Sequence, residues 1–365
     1  MTQTSSLVST PITPDWQSLV RCIRREGTPR RVHHIELLLD AEIQTAVCER
    51  FGLLAGLDPF DPFYAQKRLV AVQRFLGYDY VRCGLEGMAW PLNRAEVEDT
   101  AVHKRAAGRS FVDEHRGPIT TREEFERYPW PDAETASTRS LEWYSENLPE
   151  GMCIIASGGF AHFAEHLAWL PGYETLCYLL YDQRDLVKAI ADRLTDIFET
   201  SLRRMLQFER AKIIWGSDDM GFRSGTLISP DDLREFVLPG HKLMAQMAHA
   251  AGRPYLLHSC GNLSAIMDDL LDDVGIDAKH SFEDTIEDVR ELKGSYGRRI
   301  ALLGGIDVDF LCRADEAAIR RRVRDTLEKC HPGGGYCLGT GNSVANYIPV
   351  ENYLTMLDEG RRFTG

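Results

Sequence analysis

Paired cysteines, long apolar runs and a leader-like N-terminus are all missing from this 365-residue sequence. The nine cysteines are scattered without a CxxC pair, and several lie in apolar runs, where a free cysteine behaves as a small hydrophobic residue. No stretch approaches the roughly 18 consecutive apolar residues that a membrane span requires. The Ser/Thr-rich start, MTQTSSLVSTPITPDW, has neither the basic nor the apolar region of a secretion signal. We therefore expect a cytoplasmic protein in a reducing compartment, without a membrane segment.

Basic residues are also scarce, with 42 Lys and Arg against 55 Asp and Glu and a formal net charge of −13. The averaged field of such a protein repels phosphate backbones and anionic lipid headgroups. One stretch, RCIRREGTPRRVHH at residues 21–34, has a local excess of basic residues. Such a charge run is typical of a solvated face around a turn. We expect neither a nucleic acid nor a membrane surface as a partner.

Short β-like runs alternate with segments of helical period along the chain. Eight such runs are present, and most are followed by an amphipathic segment. This alternation predicts a parallel sheet with crossover helices, and eight units favour a (β/α)8 TIM barrel, an α/β fold, over an open doubly wound sheet. No GxGxxG motif follows the first run, which argues against dinucleotide binding. The runs are residues 31–37, 78–84, 152–157, 211–217, 254–259, 276–282, 299–305 and 335–339.

Two segments do not follow this alternation. Residues 85–150 have a periodicity too broken for a barrel helix, and we interpret them as an insertion over the barrel mouth. Residues 1–24 are interpreted as an N-terminal tail and leading helix, and residues 25–365 as a single barrel domain. No internal repeat, low-complexity block or linker rich in Pro or Gly marks a second domain.

One apolar run, PYLLHSCGNL at residues 254–263, ends in two soft metal ligands, His258 and Cys260. Active sites of TIM barrels gather where strands end, and residues i and i+2 of a strand point to the same side, so both side chains are expected at the barrel mouth. A thiolate with an imidazole suits zinc better than magnesium or calcium. A single HxC is more often a site of local hydrogen bonding, so zinc binding requires further ligands.

Carboxylates and a histidine follow other runs. Asp218 and Asp219 end the fourth run, where they could ligate a metal, orient a substrate or share a proton, or only cap the next turn. We predict a catalytic role for at least one of them. His280 is a candidate general acid or base, with a hydrogen-bonded core residue as the alternative. Glu36, if it faces the barrel interior, must pair with a cation, metal or donor, and we assign it to substrate binding.

Six stretches spread along the chain carry a further pattern. They are GYDYVRCG, IIASGGFAHFAEHLAWLPGYETL, SDDMGFRSGTLISPDDLREFVLPGHKLM, HSCGN, LLGGIDV and GYCLGTGNSVANYIPVENYLTMLDEG. Together they resemble the uroporphyrinogen decarboxylase superfamily, and most of all its branch of methylcobamide:coenzyme M methyltransferase-like enzymes. The resemblance covers the chain from about residue 25 onward. It implies a (β/α)8 barrel.

The resemblance also implies a set of metal ligands. In the methyltransferase branch the HxCG motif supplies a His and a Cys to zinc, which implies His258 and Cys260 here, and a further Cys follows the last strand. Asn342 stands where those methyltransferases have that Cys and decarboxylases have a His, and we assign it to substrate binding. Cys337, five residues earlier, is the candidate third ligand, with a packed core thiol as the alternative. The other candidates for completing the site are Asp218, Asp219, Glu36 and His280.

The decarboxylase branch has marks that this sequence lacks. Its members bind a polycarboxylate tetrapyrrole through an Arg-rich motif of the type MRQAGR, and the nearest stretch here, RREGTPRRVHH, does not have that spacing. At the family's Tyr position in the third βα loop the chain has His166, which we assign to substrate binding together with Ser157 at the end of the third run. These departures argue against decarboxylation of uroporphyrinogen.

Three functional hypotheses follow from the residues and the resemblance. The first is metal-assisted methyl transfer involving a methoxylated small molecule or a corrinoid carried by a separate partner protein. The second is a decarboxylase or other lyase that acts on a carboxylated small molecule. The third is a non-catalytic barrel that binds a corrinoid or tetrapyrrole, which Asn342 in place of a Cys or His keeps open. Dimerisation is common among the relatives, which leaves a homodimer open.

Overall fold

Seven parallel strands form one sheet at the centre of the computed structural model, which describes residues 7, 8, 10–101, 103, 104 and 109–364. The strands, with four short peripheral ones, are β1 (Tyr80–Cys83), β2 (Arg94–Val97), β3 (Arg109–Val112), β4 (Cys153–Ala156), β5 (Ala211–Ser217), β6 (Gly221–Phe222), β7 (Gly225–Thr226), β8 (Tyr255–His258), β9 (Ala278–His280), β10 (Ala301–Leu303) and β11 (Tyr336–Cys337). The order in the central sheet is β1-β4-β5-β8-β9-β10-β11. Its strands are buried nearly throughout, as expected of a parallel sheet covered on both faces.

An eighth segment, residues 33–39, closes this curled sheet into a barrel. On one side His34 forms a parallel β-bridge with Leu338, and the Ile35 amide donates to the Leu338 carbonyl at 2.9 Å. On the other side the Tyr80 hydroxyl of β1 accepts from the Glu36 amide at 2.8 Å and donates to the Glu36 carbonyl at 3.2 Å. The predicted (β/α)8 barrel is therefore confirmed, although its first strand is held by isolated bridges and a side chain rather than by a continuous ladder.

Helices surround the sheet and alternate with its strands. Helix α13 illustrates their pattern, because the Asp315 side chain caps its first turn and Ile319, Val323 and Leu327 bury one face at intervals of four residues. The helices are α1 (Trp16–Ile23), α2 (Ala41–Phe51), α3 (Tyr64–Leu76), α4 (Arg122–Arg127), α5 (Arg139–Asn147), α6 (Phe163–Trp169), α7 (Tyr173–Asp182), α8 (Arg184–Met205), α9 (Pro230–Phe236), α10 (Leu238–Ala250), α11 (Val289–Tyr296), α12 (Val308–Arg313), α13 (Glu316–Cys330) and α14 (Val350–Arg362), with a π-helical segment at Asp269–Val274. None of the helices in the described ranges is long and apolar enough to span a membrane.

The predicted insertion lies at the carboxyl ends of the strands. It contains the antiparallel pair β2–β3 and the short helix α4, whereas α5 at the end of this segment packs against α3 and β4 and is the crossover helix between β1 and β4. The Trp90 ring lies 4.0 Å from the His166 ring of α6, and the Gly117 amide donates to the Pro171 carbonyl at 2.6 Å. Because both partners follow β4, the insertion packs on the barrel mouth as predicted. Residues 102 and 105–108 of this segment lie outside the described residues.

The leading helix α1 packs at the opposite end of the barrel. The Gly335 amide, directly before β11, donates to the Cys22 carbonyl of α1 at 2.8 Å. Residues 1–6 and 9 lie outside the described residues, so the division of the chain at residue 24 stays a prediction.

Candidate functional site

The loops that follow β5 and β8 touch each other at two glycines. Gly261 has a φ of +82°, and a Cβ there would lie 2.2 Å from the carbonyl carbon of Gly221. A residue with a side chain would be strained and would clash at this point, so glycine allows the two loops to approach. The approach brings Cys260 to Asp219, whose Oδ1 accepts from the Cys260 amide at 3.0 Å. This contact gives a physical reason for the glycine of the HSCG motif.

Three donor atoms of different chemistry converge at this point. His258 Nε2 lies 3.4 Å from Cys260 Sγ and 3.4 Å from Asp219 Oδ1, and the three donor atoms are all within 4.8 Å of one another. His258 is buried, whereas 42% of the Asp219 side chain is exposed, so the cluster can be reached from the mouth. In the described part of the chain this is the only group of at least three His, Cys, Asp or Glu side chains close enough to share an ion.

Polar neighbours surround the Cys260 sulfur and hold the His258 ring. Asn342 Nδ2 donates to Cys260 Sγ at 3.1 Å, and the Ser281 hydroxyl lies 3.7 Å from the same sulfur. His280 Nδ1 lies 2.7 Å from His258 Nδ1, and one ring donates while the other accepts. When His258 is the donor, its Nε2 lone pair faces Cys260 and Asp219. The predicted residues Asn342 and His280 therefore both contact members of the cluster.

The electrostatics of the cluster favour a cation. Burial lowers the pKa of His258, and burial followed by the charge of Asp219 raises the pKa of Cys260 far above its usual value. Burial also acts to raise the pKa of Asp219, but its contacts with His258 and Cys260 outweigh that effect and lower it to about 2. Without an ion the three groups are a neutral imidazole, a neutral thiol and a carboxylate. A bound cation would compensate the carboxylate and favour the thiolate.

The structure places Cys337 outside this cluster. Its side chain is fully buried in β11 and shares a hydrogen bond with the thiol of Cys22 on α1. This contact and burial raise the pKa of Cys337 well above its usual value. Helix α1 covers the amino-terminal end of β11, so the Cys337 thiol lies away from the mouth where His258 and Cys260 meet.

The two adjacent aspartates have different surroundings. Asp218 is fully buried, and its two oxygens accept from the amides of Ala164 and Glu165 at 2.8 and 2.9 Å. Its Oδ2 also lies 2.8 Å from His241 Nε2, and His241 Nδ1 lies 2.9 Å from the Tyr255 hydroxyl. Asp218 therefore ties the first turn of α6 to the barrel, whereas Asp219 belongs to the donor cluster with His258 and Cys260.

A cavity of about 480 Å³ lies beside the cluster, inside the mouth. Glu36 and Ser157, both predicted to bind substrate, line it together with Arg82 of β1. The Arg82 Nε donates to the Ser157 hydroxyl at 3.0 Å, and its guanidinium stacks 4.8 Å from the Trp215 ring centroid. Sequence reasoning missed Arg82, although a lone charge within the apolar run YDYVRCG was a usable signal.

His166, which was also predicted to bind substrate, does not line the cavity. It is buried under Trp90 and Phe198, its Nδ1 lies 2.7 Å from the His162 carbonyl, and burial lowers its pKa to about 3. His162, four residues earlier, lines the cavity instead, and its Nδ1 is hydrogen-bonded to Glu165. The left-handed backbone of Ala161, with a φ of +60°, precedes this turn. The turn at Ala161 decides which face of α6 meets the cavity, and the periodic pattern of hydrophobic residues in the helix does not reveal that turn.

Glu36 is held as a neutral acid by its burial in the barrel. Burial raises its pKa to about 8, although hydrogen bonds with Thr340 act to lower it. The Thr340 hydroxyl lies 2.6 Å from Glu36 Oε2 and 2.8 Å from the Asn342 carbonyl, and it has one hydrogen for these two neighbours. A protonated Glu36 that donates to Thr340, while Thr340 donates to Asn342, satisfies both contacts.

This assignment predicts a pH-dependent stability. Because the folded pKa is raised, the stabilising effect of the proton on Glu36 is complete below the ordinary value of 4.5 and is lost as the pH rises to about 8. The substitution Glu36→Gln should remove this loss, which is at most about 5 kcal/mol. Urea unfolding of both proteins at about pH 5 and about pH 9 measures it. An equal loss of stability in wild type and variant would contradict the assignment.

A closed parallel barrel with polar side chains at the carboxyl ends of its strands defines a protein of the TIM-barrel class. Within that class, the family model described as "Uroporphyrinogen decarboxylase (URO-D)" matches residues 118–363. The chain belongs to this family. The resemblance found in the sequence motifs is thereby confirmed.

Individual relatives extend this assignment. A methylated-thiol–coenzyme M methyltransferase of Methanosarcina mazei is 29% identical over 190 residues, which are 52% of this chain and 47% of that protein. A uroporphyrinogen decarboxylase of Gloeobacter violaceus is 24% identical over 247 residues, which are 64% of this chain and 67% of that protein. The solved structure of a methyltransferase from Methanosarcina mazei shares the fold, with a TM-score of 0.68, 18% identity and coverage of 95% of this chain and 98% of that one. The named relatives are enzymes of two reaction types.

Proposed function

We propose that the protein is a zinc-assisted methyltransferase in which His258, Cys260 and Asp219 hold the metal. The observation that supports this most is the convergence of a nitrogen, a sulfur and an oxygen donor within 4.8 Å at the barrel mouth. Zinc bonds of about 2.3 Å to sulfur and about 2.0–2.1 Å to nitrogen or oxygen put tetrahedral ligands about 3.4–3.6 Å apart. The separations of 3.4 Å from His258 Nε2 to both neighbours fit this geometry. Asp219 thus takes the position that the sequence assigned to Cys337.

The surrounding side chains suit an activated sulfur nucleophile. Zinc bound here would lower the pKa of a thiol or water at its remaining coordination position. Asn342 Nδ2 donates a hydrogen bond to Cys260 Sγ and thereby stabilises negative charge on that sulfur, whereas the Ser281 hydroxyl, 3.7 Å from the sulfur, donates to the Gly341 carbonyl at 3.0 Å. His280 fixes the orientation of the His258 ring through the Nδ1–Nδ1 contact. The exposed side of Asp219 leaves the mouth open to an incoming substrate.

The methyl donor is a second part of the proposal. The printed name of the Methanosarcina mazei relative describes methyl transfer between methylated thiols and coenzyme M. By analogy we assign this chain a transfer between sulfur and a second carrier, which is a corrinoid on a separate protein or a methoxylated small molecule. Either donor would enter over the cluster at the mouth, because the opposite end of the barrel is covered by α1.

Metal content and methyl transfer test the proposal together. We expect the full-length protein to hold about one zinc per chain and, when loaded, to move the methyl group of methylcobalamin to a thiol such as 2-mercaptoethanol. A C–S bond forms, the Co–C bond breaks with its electron pair left on cobalt, and the thiol proton goes to solvent. Thioether formation and metal analysis are the readouts. Protein that binds no zinc, even when zinc is supplied, would refute the metal role, and Cys177→Ser is the control for loss of an exposed thiol.

A lyase remains the second candidate, favoured by the acid–base pair on the cavity wall. His162 and Glu165 share a hydrogen bond there. Burial acts to lower the pKa of His162, but its contact with Glu165 raises it overall, while burial raises the pKa of Glu165 to about 6. Such a pair could protonate a carbanion after loss of carbon dioxide. Carbon dioxide release without any corrinoid would favour the lyase, and tight corrinoid binding without turnover would favour a non-catalytic subunit.

A further inference from the structure

Arg82 is a charged side chain inside the barrel to which the proposed metal chemistry gives no role. It lies on β1 two residues after Tyr80, and both side chains line the same cavity. The Trp215 ring, fully buried, supports one face of the guanidinium at 4.8 Å, and the Ser157 hydroxyl accepts from Nε at 3.0 Å. These two contacts fix the plane of the group. The terminal nitrogens Nη1 and Nη2 remain for another partner.

No such partner exists within the described part of the protein. No carboxylate oxygen of the described residues lies within 4.0 Å of the guanidinium. Nη1 and Nη2 have no protein acceptor there, and they are not among the enclosed polar atoms without a partner, so they face the cavity. Burial lowers the pKa of Arg82 to about 10, so the group stays charged at neutral pH. A cation that is largely removed from water and has no counter-charge is destabilising until an anion binds it.

The remaining cavity wall offers no compensating charge. Glu36 is the one acidic side chain that lines the cavity, and its two oxygens are engaged by Thr340, where burial raises its pKa to about 8. At neutral pH the wall therefore presents the Arg82 cation without a carboxylate to pair with it, while His162, which also lines the cavity, is already paired with Glu165. A planar carboxylate matches the two parallel N–H directions of a guanidinium. We propose that Arg82 binds the carboxylate of an organic acid, with Ser157 as its neighbour.

The position of Arg82 relates this subsite to the metal cluster. Trp215, which supports the guanidinium, lies 5.5 Å from the His280 ring, and His280 in turn contacts His258 at 2.7 Å. A run of apolar side chains lines the same cavity, namely Leu37, Leu38, Leu39 and Leu69. The ligand is thus a monocarboxylic acid with an apolar body. Resting on the proposed function, this acid would be the substrate held beside the cluster, with its carboxylate end on the side of Trp215 and His280.

A comparison of acids with their amides tests this subsite on the full-length protein. Calorimetric titration would use acetate, hexanoate, benzoate and phenylacetate, each against its neutral amide, and benzenesulfonate as a tetrahedral anion. We expect at least one acid to bind with a Kd below about 10 mM and its amide to bind roughly tenfold or more weakly. Absence of binding by all four acids, equal binding of acid and amide, or tighter binding of benzenesulfonate than of benzoate would overturn the proposal.

Variants connect the binding to this side chain. Arg82→Gln should lose the preference for acid over amide, and Arg82→Lys should retain part of it, because lysine keeps the charge without the planar fork. Arg193→Gln is the matched control, since Arg193 also stacks on a tryptophan, 5.9 Å from Trp130, but on the outer surface. An unchanged acid preference in Arg82→Gln overturns the assignment, and the wild-type comparison stands even if a variant does not fold.

Failure of this inference and failure of the metal proposal give different results. His258→Ala should lose zinc yet keep the acid preference, because the cavity contacts of Arg82 do not include His258. Arg82→Gln should keep zinc and lose the acid preference. Zinc binding without an acid preference in wild type would reject the carboxylate subsite alone, whereas an acid preference without zinc binding would reject the metal role alone.

Discussion

Replacing Cys260 by alanine is expected to weaken zinc binding by roughly 100- to 1000-fold. Apparent zinc-binding free energies of about 10–16 kcal/mol, shared among four ligands, correspond to about 2.5–4 kcal/mol for each ligand. Cys260 supplies the one sulfur of the cluster, and that sulfur is also the atom to which the Asn342 side chain donates. Its loss removes a ligand and leaves the Asn342 amide nitrogen without this acceptor.

Competition with a chromophoric chelator measures this change on the full-length chain, and cobalt(II) substitution identifies the ligand. The thiolate-to-cobalt charge-transfer band should be absent from Cys260→Ala but present in Asp219→Asn, which removes an oxygen ligand only. Cys177→Ser, at an exposed cysteine outside the cluster, should bind zinc as wild type does. Wild-type affinity in Cys260→Ala, or a charge-transfer band that survives in it, would rule out Cys260 as a ligand.

The fold was predictable because hydrophobic period and strand length repeat along the chain. Each of the eight β-like runs corresponds to one of the eight segments around the barrel. The first run differs from the others, because residues 33–39 form only isolated β-bridges with their neighbour on one side. On the other side the Tyr80 hydroxyl bonds their backbone and so closes the barrel. A side chain that bonds a neighbouring backbone leaves no periodic trace in the sequence, so this feature required the three-dimensional arrangement.

The orientation of a site residue was predictable only where the residue lies in or next to a strand, because side chains alternate between the two faces of a strand. His258 and Cys260 are two residues apart at the end of β8, and the structure brings both donor atoms together. Asp218 and Asp219 lie beyond the last residue of β5, where alternation has ended and the turn decides which side chain faces inward. The sequence therefore left the choice between them open, and their hydrogen bonds in the structure differ, because Asp218 accepts from the amides of α6 and Asp219 accepts from the Cys260 amide.

Cavity contacts were harder to predict for a similar reason. His162 is the N-cap residue of α6 and His166 lies one turn later in the helix, and which of them meets the cavity depends on the loop before the helix. Arg82 was overlooked because its neighbours in β1 read as an ordinary buried run. The burial argument that singled out Glu36 applies equally to Arg82, since any charge within an apolar strand needs a partner.

Replacing Asp218 by alanine is expected to lower the free energy of unfolding by about 3–5 kcal/mol without a direct effect on zinc. Asp218 is fully buried. Its oxygens accept hydrogen bonds from two backbone amides, and one of them is hydrogen-bonded to His241 Nε2. Alanine would leave those three groups buried without an acceptor. The neighbouring substitution Asp219→Asn should change stability by about 1 kcal/mol or less, because that side chain is partly exposed, while weakening zinc binding.

Urea unfolding followed by the fluorescence of the six tryptophans, together with zinc affinity, separates the two aspartates. The expected pattern is a stability defect with retained zinc in Asp218→Ala and a zinc defect with retained stability in Asp219→Asn. Asp218→Asn serves as the conservative variant, since its amide oxygen still accepts one backbone N–H of α6 and should recover part of the stability. If Asp218→Ala were as stable as wild type but lost zinc, the carboxylate that holds the metal would be Asp218, and the helix-capping role assigned to it here would be wrong.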